Sequence, residues 1–495
     1  MSDPTALYSA AQVRQFDSLA IAAGISGGTL MGRAGAAAFA VLRAHWPQAR
    51  RIVVVCGIGN NAGDGFVLAR LARAAGCDAS VLQVGDVGAL RGDALQALQD
   101  YRAAGGMSRG LVAAELLSAD LLVDALFGTG LTREVAGDWR AAIEAMNAAA
   151  APVLALDLPS GVHADSGAVL GVGVHAAVTV TFIARKQGLY TGAGRAQAGR
   201  VICADLDVPS PVYAGTAPGA LLLAQDALAD WLPPRAGAAH KGCFGHVLAV
   251  GGEQGMSGAV QLAAAASARV GAGLVSVATR AAHAALLSAA CPELMCHGVE
   301  HAAQLTPLLA RANVIAIGPG LGQGEWAREL LSRAVDTQLP LVVDADALNL
   351  LAREPLRRDN WILTPHPGEA ARLLQCSTAD IAADRYRAVA ELAARYGGVA
   401  VLKGAGTLIT RQGASVIVCD AGNPGMASGG MGDVLTGVIA GLLAQGLPVF
   451  EAAQAGVLAH ALAGDSAARD GERGLLATDL LPYLRRCVNP VERQL

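Results

Sequence analysis

Short apolar runs alternate with amphipathic stretches along most of the chain. Runs at 52–56, 79–84, 121–125, 153–157 and 178–183 read as buried strands. Stretches at 66–75, 93–104 and 139–149, apolar every third or fourth residue, read as helices between them. Two further helical stretches, 9–23 and 30–42, precede the first strand. After residue 221 the alternation restarts, with strands at 247–250, 274–278, 314–317, 341–343, 361–364 and 399–402. Its helices fall at 259–270, 326–335, 384–396, 434–444 and 451–468. Strand–helix alternation predicts mostly parallel sheets with helices on both faces, an α/β class. Residues 208–219, uncharged and rich in Pro and Gly, read as a linker. Two domains are expected, 1–215 and 221–495.

Composition narrows the function. The 495 residues are 53% hydrophobic and only 16% charged, below the usual ~25% charged, which excludes a disordered chain. A net charge of −4 gives no basic field for nucleic acid or for an acidic membrane surface. No apolar run reaches the ~20 residues of a membrane span; the nearest, 434–450, is broken by Gly and Pro. The start, Met1-Ser2-Asp3-Pro4, carries no basic flank or apolar signal core. Nine scattered cysteines without a CxxC pair fit a reducing cytoplasm and argue against a zinc site. Of 37 basic residues, only Lys186, Lys241 and Lys403 are lysines. A point-charge ammonium in so Arg-rich a chain marks a site candidate, and each has Gly close by, where backbone can approach a ligand.

In the first half, the 52–56 strand runs into Gly57-Ile-Gly59-Asn60-Asn61-Ala62-Gly63-Asp64-Gly65, and a helix follows. Gly57, Gly59 and Ala62 match the dinucleotide pattern, with Asp86 as a possible ribose acid. The polar Asn60, Asn61 and Asp64 count against bare pyrophosphate binding. The next strands end in Asp124-Ala-Leu-Phe-Gly128 and Asp157-Leu-Pro-Ser160. Ligands of open parallel sheets bind outside the carboxyl ends of strands. Asn61, Asp124, Asp157 and Ser160 all fall there, and the set suits either a hard cation or proton transfer.

The second half repeats this placement. His240-Lys241-Gly-Cys-Phe-Gly245 precedes a strand, and Ile317-Gly-Pro-Gly320-Leu-Gly, Val343-Asp344-Ala-Asp346, Thr364-Pro-His366-Pro-Gly-Glu369 and Leu402-Lys403-Gly-Ala-Gly406-Thr407 close others. The loop Gly422-Asn-Pro-Gly-Met-Ala-Ser428-Gly-Gly-Met-Gly432-Asp433 opens an apolar helix. Consecutive glycines at a helix start expose N–H donors to one point, an anion cradle reinforced by the helix dipole. Asp433 there suits a proton acceptor for a substrate hydroxyl. No Walker A sequence is present, which disfavours a P-loop NTPase.

These motifs carry a resemblance. Asn60-Asn-Ala-Gly-Asp-Gly, Asp124-Ala-Leu-Phe-Gly-Thr-Gly, Leu156-Asp-Leu-Pro-Ser-Gly and Phe182-Ile-Ala-Arg-Lys-Gln-Gly-Leu resemble the NAD(P)H-hydrate epimerase family. The second-half motifs resemble the ADP-dependent NAD(P)H-hydrate dehydratase family of the ribokinase-like superfamily. The resemblance implies an N-terminal Rossmann-like three-layer domain and a C-terminal ribokinase-like α/β domain. It implies epimerisation of hydrated NAD(P)H at C6, then ADP-dependent dehydration of the S epimer with release of AMP and phosphate.

By the same resemblance the hydrate contacts in the first half are Asn60, Asn61, Ala62, Gly63, Asp64, Gly128, Thr129, Gly130, Leu131, Thr132, Arg133, Glu134 and Asp157. Asn61, Asp124 and Ser160 would hold K+, and Asp157 and Lys186 are the catalytic candidates. In the second half Ala259, Gly320, His366 and Asp433 would meet the hydrate, with Asp433 as base. Lys403, Gly404, Ala405, Gly406, Thr407 and Gly432 would hold ADP with Mg2+. The implied partners are these small molecules, without nucleic acid or membrane, and a homo-oligomer is expected. A metabolite kinase, a nicotinamide dehydrogenase and a non-catalytic first half stand as alternatives. They differ in product: a stable phosphorylated alcohol, a net hydride transfer, or no epimer exchange.

Overall fold

The computed structural model describes Asp3 and residues 5–489. Met1, Ser2, Pro4 and residues 490–495, which the expected domains include, lie outside the described residues. The chain divides into two compact units, Met1–Leu221 and Leu222–Leu495.

The first unit is built on a seven-stranded parallel sheet. Its spatial order is Ser108–Gly110, Asp78–Gln83, Arg51–Cys56, Leu121–Ala125, Val153–Leu156, Val178–Phe182 and Arg200–Ala204. Counted along the chain this is 3-2-1-4-5-6-7, the Rossmann order extended by one strand. The order reverses between Arg51–Cys56 and Leu121–Ala125, where such sheets bind ligands. Side chains alternate between faces along each strand. Ile52, Val54 and Cys56 face a core closed by Phe16, Leu42 and Leu68 of three helices. Val53 and Val55 face the other core, with Ile143 and Met146.

The apolar runs expected as strands are all strands, shifted by a residue at some ends. Two findings differ. The helix expected from residue 66 begins six residues earlier, as Asn60–Ala74, so the glycine-rich stretch is mostly first helical turns. The expected linker is also not a free connector. Val208, Val212 and Tyr213 are buried in the first core, and the Tyr213 hydroxyl donates to the Ile183 carbonyl at 3.0 Å.

The second unit has the same beginning. Its parallel strands run in the order Met295–Gly298, Leu274–Thr279, His246–Val250, Val314–Ile317, Leu341–Val343, Trp361–Leu363 and Val399–Leu402. Thr407–Arg411 and Val416–Cys419 then extend it antiparallel. Helix Met431–Ala444 is buried along almost its whole length. It packs on helix Ser257–Arg269 so closely that a Cβ at Gly437 would collide with the Ala263 backbone. That helix is most of the uncharged 434–450 run: core, apolar all round because it is enclosed. Among the described residues no single helix is long and apolar enough to cross a membrane.

Candidate active sites

A cavity of about 940 Å³ opens in the first unit at the switch point of the sheet. Asn60, Asn61 and Asp64 line it from the start of helix Asn60–Ala74, and residues 128–133 line it from the neighbouring strand end. Asp157 and Lys186 line its inner part. Ala62 and Gly63 do not line it. Ala62 is fully buried, and a Cβ on Gly63 would run into Met31 and Ala94. Helical periodicity explains this: residues one and four apart share the cavity face, and those between turn to the core. Glu134 is also outside; it is exposed and pairs with Arg140 at 3.4 Å. Asp86 accepts from its own Gly88 N–H at 2.8 Å, a local turn, and does not line the cavity.

Beside the cavity, Asp124 is fully buried. Its Oδ1 accepts from Ser160 Oγ at 2.6 Å and its Oδ2 from the Ser160 N–H at 2.7 Å. Burial pushes its carboxyl up to about 6, against these hydrogen bonds. Asn61 Nδ2 donates to the Phe127 and Leu156 carbonyls, both at 3.1 Å. That leaves Asn61 Oδ1 buried and without a hydrogen-bond partner. A buried carboxylate and a buried amide oxygen without a partner both carry a desolvation cost that a cation would offset. The donor set of Asn61, Asp124 and Ser160 is all oxygen, which fits a hard cation.

Asp157 ends strand Val153–Leu156 with φ 64°, in the left-handed region. Ile183, at the end of the adjacent strand Val178–Phe182, has φ 66°. Both line the cavity, and such conformations cost of order 1–3 kcal/mol each. From that backbone the Asp157 carboxylate meets Lys186, whose Nζ lies 2.5 Å from Oδ1 and also donates to the Phe182 carbonyl at 2.7 Å. Two more carboxyls join them. Asp17, on helix Ala10–Ala22, and Asp64 face the same cavity. Burial raises both carboxyls, Asp64 well above its usual range; Asp157 adds to each shift and Lys186 opposes it. The sequence reading missed Asp17. Val13 and Asp17, one turn apart, both line the cavity, but a lone acid on an amphipathic helix reads as a solvent face.

The second-unit site gathers at four strand ends and one helix start. Gly430, the N-cap of Met431–Ala444, has φ 89°, a conformation glycine adopts without strain. Asp465 holds the preceding loop, accepting from the Gly422 N–H at 3.0 Å and from Asn423 Nδ2 at 2.9 Å. Asp433 follows in the first turn, its carboxyl raised to about 7 by burial and by Asp344, while Lys403 pulls it down. His366 caps helix Pro367–Leu374, its Nδ1 accepting from the Gly368 N–H at 2.9 Å. Burial and the nearby Lys403 and Arg372 lower its pKa, favouring the neutral imidazole. Ala259 and Gly320 are adjacent, a Cβ on Gly320 falling 3.1 Å from the Ala259 Cβ.

Residues 403–407 do not act as one strip. Gly404 and Ala405 are exposed, and the loop is held from beneath by buried Arg385, which donates to the Leu402 and Lys403 carbonyls at 3.2 Å. Lys403 turns the other way. Its Nζ lies 2.7 Å from Asp344 Oδ1 and 3.9 Å from Glu369 Oε2. Lys241, the third lysine, is exposed on the turn Lys241–Phe244.

The class is therefore a two-unit α/β protein, with a Rossmann-like sheet and acid-lined cavity in the first unit and a glycine-rich helix start beside buried acids in the second. Comparison with known proteins narrows it. The family profile described as NAD(P)H-hydrate dehydratase matches residues 247–486. That described as YjeF-related protein N-terminus matches residues 27–188. The chain is 50% identical over 487 residues to the bifunctional NAD(P)H-hydrate repair enzyme Nnr of Coxiella burnetii, covering 98% of this chain and 100% of that one. It is 46% identical over 462 residues to the enzyme of the same name from Escherichia coli K12, covering 93% and 89%. A ribokinase-like superfamily protein of Enterococcus faecalis, EF1790, superposes with a TM-score of 0.51 at 32% identity, over 54% of this chain and 95% of its own. The chain belongs to the family of bifunctional NAD(P)H-hydrate repair enzymes.

Proposed function

We propose that residues 1–215 interconvert the R and S epimers of hydrated NADH and NADPH, and that residues 221–495 dehydrate the S epimer at the expense of ADP. The observation that carries this reading is the presence on one chain of two unlike sites. One is an acid-lined cavity large enough for a dinucleotide, and the other a glycine cradle ending in an acid poised near neutrality.

In the first unit Asp157, backed by Lys186, is the proton acceptor towards the C6 hydroxyl, with Asp64 and Asp17, whose carboxyls burial raises, in the same cavity. General acid–base catalysis of this kind contributes about 10²–10⁴-fold. Asn60, Asn61, Asp64 and residues 128–133 hold the hydrate, Asn61 joining the two neighbouring strand-end loops. Asn61, Asp124 and Ser160 would hold K+, which would supply positive charge to buried Asp124 and the unpartnered Asn61 Oδ1.

In the second unit ADP enters as its magnesium complex. Its terminal phosphate sits at the amides of residues 429–432, with 404–407 along the nucleotide. Asp433 takes the C6 hydroxyl proton while that oxygen attacks the terminal phosphorus and AMP leaves. Cleavage of the C6–O bond with loss of a C5 proton then restores the reduced nicotinamide and releases phosphate. Hydroxide leaves poorly and phosphate leaves well, which explains kinase-like architecture in a dehydratase. His366, Ala259 and Gly320 hold the hydrate. Nine free cysteines support a cytoplasmic setting, and the homo-oligomer belongs to the same reading.

The test is a mixed R/S NADH hydrate with Mg2+ and K+, followed by return of reduced nicotinamide absorbance. Complete return that requires ADP supports both activities. Return that stops at the S fraction contradicts the first-unit reading, and no return contradicts the second.

A further inference from the structure

We propose that Asp344 and Thr436 are positioning residues of the dehydration site, and that through them Lys403 presents its ammonium to the floor of the glycine cradle beside Asp433. The inference rests on the dehydratase reading and goes beyond it. It moves Lys403 from nucleotide recognition to the reacting end of the site, and it assigns two residues that carried no role.

Asp344 ends strand Leu341–Val343 and is 1% exposed. Both its oxygens are taken. Oδ1 accepts from Lys403 Nζ at 2.7 Å and Oδ2 from Thr436 Oγ1 at 2.8 Å. A buried carboxylate stripped of one partner is strongly destabilised, so the three groups act as a unit. Thr436 lies three residues after Asp433 on helix Met431–Ala444, on the same helical face. Its hydroxyl therefore ties the base-bearing turn to the strand end and fixes the direction in which Asp433 points. The Lys403 ammonium lies 3.2 Å from where a Cβ on Gly432 would sit, and Asp344 Oδ2 lies 3.4 Å from it. The backbone of the cradle rests directly on this pair.

The groups facing Asp433 come from every neighbouring element. Asp344 and Asp346 flank it from the 341–353 segment, and Glu369 from helix Pro367–Leu374, where His366 and Arg372 stand behind. Lys403 is the cation among the groups that shift Asp433. His460, buried beneath the helix start, is lowered to about 4 by burial and stays neutral. Burial and three acids drive Asp433 towards its protonated form, and Lys403 opposes them. The same ammonium faces the charge that develops on a phosphoryl group held at residues 429–432.

The experiment is the pH profile of kcat for ADP-dependent dehydration of the pure S hydrate by the full chain. Removing the Asp344 charge in Asp344→Asn shifts the acid limb down by about half a unit or more, and removing the Lys403 charge in Lys403→Met shifts it up by a similar amount. Both lower kcat about 10²-fold, with KM for ADP changed less than about threefold. Thr436→Val, which keeps the side chain's shape and leaves Asp344 its Lys403 partner, lowers kcat about tenfold at a temperature where circular dichroism shows the variant folded, and Thr436→Ser restores it. Limbs that stay in place, or move in one direction in both variants, overturn the proposal. So does a Lys403→Met effect confined to KM for ADP, or a Thr436→Val enzyme with native kcat. An inactive native chain overturns the dehydratase reading and this inference with it; an active native chain with unmoved limbs overturns the inference alone.

Discussion

Each unit pairs a lysine with an aspartate, and the partner left accessible differs between them. In the first unit the Lys186 side chain is 1% exposed and Asp157 14%; in the second Lys403 is 18% exposed and Asp344 2%. The first cavity is thus offered a carboxylate with an ammonium behind it. The second site is offered an ammonium with a carboxylate behind it. The sheets start with the same strand order, so the fold does not dictate this difference. The orientation of the pair does, and it suits proton abstraction in one unit and stabilisation of phosphoryl charge in the other.

The largest effect expected falls on the second unit alone. Asp433→Asn lowers ADP-dependent dehydration about 10³–10⁴-fold and leaves epimer exchange intact, read by nicotinamide absorbance and by separation of the epimers. In the native chain the same reaction falls as pH drops through about 7, because the Asp433 carboxyl then keeps its proton and cannot accept one. Asp157→Asn is the mirror experiment. Asn tolerates the left-handed backbone and its amide oxygen can still accept from Lys186, and epimer exchange falls about 10²-fold while dehydration of the S epimer persists. Equal losses in both activities from either variant would break the comparison.

A smaller effect tests the cation site without using activity. K+ at one hundred times its dissociation constant stabilises the folded first unit by about 2.7 kcal/mol. By calorimetry that raises its Tm by several degrees, at about 2–4 °C per kcal/mol, relative to tetramethylammonium at equal ionic strength. Asn61→Leu removes the K+-dependent part. The smallest is Gly63→Ala, which forces a methyl towards Met31 and Ala94 and lowers stability by about 1–3 kcal/mol, seen as a drop in urea midpoint.

The central strands were legible because each is an apolar run between turn signals. Ser108–Gly110 was not, being a short, polar edge strand. Arg200–Ala204, the opposite edge, is only partly buried. Polar residues at strand ends pointed to Asn61, Asp124, Asp157 and Ser160, since parallel sheets expose such ends to ligands. Reading 60–64 as one strip took no account of its helical form, in which Asn60, Asn61 and Asp64 face the cavity and Ala62 and Gly63 turn to the core. Asp17 and the Asp344–Thr436 contact were invisible for another reason. The latter joins residues 92 apart, and no local pattern encodes such a meeting.

The most direct test of the account supplies the pure R hydrate with ADP, Mg2+ and K+, and compares Asp157→Asn, Asp433→Asn and an equal mixture of the two. The account predicts that neither variant alone restores appreciable reduced nicotinamide, that Asp433→Asn converts R to S without restoring it, and that the mixture recovers nearly all of it. Rapid return of NADH from the R hydrate by Asp157→Asn alone, or a mixture no better than its parts, would contradict it.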